Sequence, residues 1–76
     1  ALGVRAGMSR AGALKALTRA IQLAPGDADS LAARGKVYLS LRRYRSAGDD
    51  LNAAVAANPS LQPELAAAIQ EVRDKQ

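Results

Sequence analysis

The chain has 76 residues, 37 of them apolar and 18 of those alanine; phenylalanine, tryptophan, cysteine and histidine are absent, and the net charge is +4. A chain this short is a single domain with a modest core. Without cysteine there is no disulfide framework or thiolate metal site, and without histidine the commonest imidazole ligand and general base is missing, so composition points away from an enzyme and to no metal or cofactor.

Alanine has the best intrinsic helix propensity and lets helices approach closely. Four valines, two isoleucines and one threonine offer little material for strands. An all-α chain is expected, with no sheet. No apolar run approaches the roughly 20 residues of a membrane-spanning helix. The first residue is Ala1 rather than methionine, so a processed or excised piece of a longer chain is expected.

Residues 1–9 contain Gly3 and Gly7 and offer no good cap, which predicts a frayed or missing helix there. Ser9 is a good N-cap for a helix over about 10–24, and Pro25-Gly26 ends it. The stretch 1–26 carries Arg5, Arg10, Lys15 and Arg19 and no acid, whereas residues 27–76 are charge-balanced. Such a stretch also has the pattern of a transit peptide or a membrane-surface helix. The internal repeat described below accounts for it better, because it fixes where its apolar residues fall. Asp27 caps a helix over about 28–41, in which Leu31, Gly35 and Tyr38 share a face. Tyr44, Ala47, Leu51, Ala54 and Val55 mark the next helical face, ended by Asn58-Pro59. Pro63 is tolerated in a first turn, so a last helix is expected from there to about 74.

Shifted by 34 residues, the sequence matches itself: Ala13 meets Ala47, Leu17 meets Leu51, Ala20 meets Ala54, Ile21 meets Val55 and Pro25 meets Pro59. Leu31, Ala32 and Ala33 likewise meet Leu65, Ala66 and Ala67. Alanine pairs arise by chance in such a composition, so the leucine and proline pairs carry the weight. The repeat predicts equivalent surroundings for Leu17 and Leu51, and the resemblance and role drawn from it below are staked on that equivalence.

With Leu31, Gly35, Tyr38, Tyr44, Ala47, Leu51, Ala54 and Pro59 at their spacing, the segment 29–59 resembles a tetratricopeptide repeat. The resemblance implies antiparallel helical hairpins stacked as a short right-handed superhelix of four to five helices. Residues 1–26 would be a partial first repeat, 27–60 a complete one and 61–76 a capping helix, all in one domain. It further implies a non-catalytic interaction module whose concave groove binds a partner peptide or helix. By phase, the groove positions are Asp29, Ala32, Ala33, Lys36, Leu39 and Ser40, joined by Ala66, Ala67, Gln70 and Arg73 of the last helix. The family's carboxylate clamp is not matched, because alanines stand where it places polar groups and Lys36 where it has an asparagine. The chain departs from the pattern at Arg34, in place of a buried leucine, where the charged end is expected at an edge or reaching solvent past apolar neighbours. It departs again at Arg10, in place of an aromatic. Gly48 weakens a helix interior by roughly 1 kcal/mol relative to alanine.

Other groups yield no sharper chemistry. Arg42, Arg43 and Arg45 form a basic turn that could meet phosphates, but stacking aromatics and base-reading side chains are absent, which argues against nucleic acid. Asp49 and Asp50 point about 100° apart on a helix, so they cannot act as a dyad and read as surface charges. Ser9, Ser30, Ser40, Ser46 and Ser60 have no histidine to activate them. Arrays of this kind generally need about three repeats for stability. A self-associating assembly element, forming homo-oligomers through exposed helix faces, is therefore the alternative to a peptide-binding adaptor or scaffold.

Overall fold

A computed structural model of the chain describes residues 9–76. The expectation of a frayed or missing helix around Gly3 and Gly7, and the charge of Arg5, therefore fall outside the described residues. Four helices follow in order: α1 (Arg10–Leu23), α2 (Ala28–Ser40), α3 (Tyr44–Ala57) and α4 (Gln62–Lys75), the last preceded by a 3-10 turn (Pro59–Leu61). Among the described residues there is no strand.

The helix ends follow from local chemistry. The Ser9 side chain accepts a hydrogen bond from the Gly12 backbone N–H at 3.0 Å, satisfying one of the free donors of the first turn of α1. Asp27 stands at the start of α2 but does not cap it through its side chain; its carboxylate instead accepts from the Ser30 hydroxyl at 2.7 Å. At the other end of α2 the Arg42 N–H bonds to the Leu39 carbonyl and the Arg43 N–H to the Tyr38 carbonyl, with Arg42 at φ 61°. This is a Schellman closure made with arginine at the left-handed position that glycine usually takes. The Asn58 side chain accepts from the Ser60 N–H and hydroxyl, so the chain turns through Pro59–Leu61 before α4 begins.

The core is a seam of small and aliphatic side chains: Leu31 and Ala32 from α2, Ala47, Leu51 and Ala54 from α3, and Leu65 and Val72 from α4. Helices α2 and α3 form the most extensive pair, an antiparallel hairpin across the short turn 41–43. Their closeness depends on Gly35: a Cβ there would stand 2.8 Å from Leu51 Cγ and 3.3 Å from the Ala47 carbonyl oxygen. Helix α4 packs on α3 and touches α2, while α1 packs on α2 alone among the described residues. Gly48 is buried, and a Cβ on it would lie 3.0 Å from Val72 Cγ1. The glycine expected only to weaken α3 therefore also makes room for Val72 of α4.

The repeat holds in part. Leu31 and Leu65, 34 residues apart, are both buried, at 7% and 0% exposure. Leu17 and Leu51 are not equivalent: Leu51 is fully buried, Leu17 only half-buried, and α1 has no buried residue at all. The reason is position. Leu51 lies on a helix flanked by α2 and α4, whereas the helix of Leu17 has α2 as its one described neighbour.

Candidate functional site

Around α2 three helices pack, and only a narrow arc remains open. Asp29, Lys36 and Ser40 are exposed there, and a spacing of seven and four residues puts them on one side of the helix. Ala33 and Leu39 are half-buried, with Leu39 packed against the core. Ala32, expected in the groove, is instead a core residue at 6% exposure, since a methyl group on a helix with three neighbours falls into one of the seams. On α4, Ala66, Ala67, Gln70 and Arg73 are all exposed. The Gln70 amide is engaged along its own helix, donating to Asp74 at 3.0 Å. The Ser40 hydroxyl likewise donates to the Val37 carbonyl at 2.7 Å. Exposed positions are thus the charges of Asp29 and Lys36 on α2, and the methyl groups of Ala66 and Ala67 with the charge of Arg73 on α4.

The strongest polar constellation lies on the other flank of α2, and sequence reasoning missed it. Arg34 grips Asp50 with two nitrogens, Nε to Oδ2 at 2.7 Å and Nη2 to Oδ1 at 2.9 Å. Its third nitrogen, Nη1, donates to the Thr18 hydroxyl of α1 at 3.3 Å, and the guanidinium carbon lies 5.7 Å from the centre of the Tyr38 ring. Asp50 is 6% exposed, so its reading as a surface charge is overturned, whereas Asp49 is exposed as expected. Arg34 does not run out to solvent: it is only partly exposed and joins three helices through one planar group. Its pKa is raised, first by the hydrogen bond to Asp50 and then by that carboxylate's charge, against the opposing effect of burial. A raised pKa in an arginine leaves the guanidinium charged through the whole range below the ordinary arginine value. A signal was present in the sequence. Asp50 is three residues from Ala47 and four from Ala54, which places it on the apolar stripe, and Arg34 interrupts the stripe of α2.

Arg42, Arg43 and Arg45 are exposed, and the backbone N–H groups of the first two close α2. The charges of Arg42 and Arg43 follow the C-terminus of that helix, where the dipole favours cations, whereas Arg45 stands in the first turn of α3. Ser9, Ser30, Ser40 and Ser60 all bond locally at caps and turns. Among the described residues no group of acidic side chains is placed to hold a metal ion, and no helix is long and apolar enough to cross a membrane. A shallow depression runs along α1, lined by Leu14, Lys15, Thr18, Arg19 and Gln22.

Compared with family models, with curated proteins and with solved structures, the chain matches none.

Proposed function

We propose that the chain is a non-catalytic protein–protein interaction module of tetratricopeptide type, an adaptor or scaffold element whose stacked hairpins bind a partner peptide or helix. The binding strip runs from Asp29, Lys36 and Ser40 on α2 to Ala66, Ala67, Gln70 and Arg73 on α4. The observation that supports this reading best is the common burial of Leu31 and Leu65 at the 34-residue interval. At the same interval Lys36 and Gln70 are both exposed, whereas Ala66 is exposed and its counterpart Ala32 buried, so the correspondence supports the reading only in part. Extended peptides and helices bind such surfaces through small apolar contacts with a few charges setting the register.

The test is a Lys36→Glu variant against the partner recovered by pull-down and peptide mapping. Binding is expected to weaken by roughly tenfold, about 1.4 kcal/mol, with thermal unfolding unchanged because Lys36 is exposed. Unchanged binding refutes the strip.

One observation favours the second reading, self-association into homo-oligomers. Helix α1 has no buried residue, and Leu23 at its end is 77% exposed. Sedimentation over a concentration series separates the two readings, and a persistent monomer counts against assembly.

A further inference from the structure

We propose that α1 is a displaceable cover, and that the flank of α2 beneath it accepts an amphipathic partner helix bearing a carboxylate where α1 bears Thr18. The proposal stands apart from the binding strip, which lies on the open arc of Asp29, Lys36 and Ser40.

Three observations carry it. The 14 residues of α1 include none that is buried, while α2, α3 and α4 each bury at least two. Among the described residues, a single side-chain hydrogen bond ties α1 to the remainder, and at 3.3 Å between a guanidinium and a neutral hydroxyl it is a long one. Two nitrogens of Arg34 remain on Asp50 when α1 lifts, so its departure strands no buried charge. Regions with few buried contacts are those that open without global unfolding.

What α1 vacates defines the chemistry of its replacement. Arg34 Nη1 becomes a free donor, and a carboxylate would meet it in a charge-assisted bond, shorter and roughly twice as strong as the neutral one. Three residues after Thr18, Ile21 packs against the core. A competing helix therefore needs an acidic residue followed three positions later by an aliphatic one. Helix α1 has no acid of its own with which to hold the site.

The experiment uses the full chain and two fluorescein-labelled peptides with the sequence of residues 10–23, one unaltered and one carrying Thr18→Asp. Isolated helices of this length are marginal in water, which weakens both peptides alike. Anisotropy should show the Thr18→Asp peptide binding roughly tenfold tighter than the unaltered one. At saturation, hydrogen exchange should quicken in α1 while α2–α4 keep their rates. Two results overturn the proposal: α1 amides that exchange only together with those of α2–α4, or two peptides that bind equally. In the chain, an Arg34→Leu, Asp50→Leu double variant removes both charges together and should erase the difference between peptides; a persisting difference contradicts the role of Arg34. Should that variant not fold, Thr18→Val in the chain serves instead, with faster α1 exchange and tighter peptide binding expected and no change in either overturning the idea. Lys36→Glu should leave peptide binding intact, and a loss would move the peptide to the strip and overturn this site without touching the proposed function.

Discussion

Helices α1 and α3 are written with the same pattern and end in different circumstances. Each carries alanine, leucine and alanine at matching positions, yet Ala47, Leu51 and Ala54 are fully buried and Ala13, Leu17 and Ala20 only half-buried. Helix α3 is enclosed by α2 and α4, whereas α1 meets α2 alone among the described residues. An apolar stripe decides which face of a helix turns inward. How deeply that face is buried depends on what stacks against it.

The largest expected break in this comparison comes from truncating the two leucines. Leu51→Ala should destabilise by about 4 kcal/mol, because a fully buried leucine leaves a cavity, and Leu17→Ala by about 1 kcal/mol at a half-covered site. Urea unfolding of both variants measures the difference, and equal losses would show that α1 is enclosed as α3 is. Next comes the ion pair. Asp50→Ala leaves Arg34 without its partner and should cost about 2 kcal/mol, less than for a fully buried pair because Arg34 is partly exposed. Asp49→Ala, one position away and exposed, should stay within about 0.5 kcal/mol. Matching effects would mean that the acid facing α2 has been misassigned. The smallest contrast is between glycines. Gly35→Ala pushes a methyl into Leu51 and the Ala47 carbonyl and should cost about 1–2 kcal/mol despite the better propensity of alanine. Gly48→Ala meets a single methyl of Val72, a milder clash than at Gly35, so a propensity gain of about 1 kcal/mol offsets part of the crowding. Thermal melts of the two variants check the order.

Much of the fold was legible because caps and breakers act locally. Ser9, Pro25-Gly26 and Asn58-Pro59 bound their helices within a residue of expectation. The start of α4 came one residue before Pro63, because Asn58 first winds a 3-10 turn. Asp27 held the right place by another bond, since the Ser30 hydroxyl competes for its carboxylate. The site was less legible because it depends on what stands across a seam. Asp49 and Asp50 diverge by about 100°, an angle that rules out a dyad. The same angle means that only one of them can lie on the stripe with Leu51, and its partner Arg34 is 16 residues away on another helix. Ala32 shows the same limit, for nothing in its own segment reveals that a third helix closes over α2.

The most direct test of an enclosed α3 beside an open α1 is a methyl-resolved NOE map in solution. The account predicts contacts from the Leu51 methyls to the Gly35 α-protons and none from the Leu17 methyls to α3 or α4. Leu17 methyls in contact with α3, or Leu51 methyls with no contact to Gly35, would contradict it.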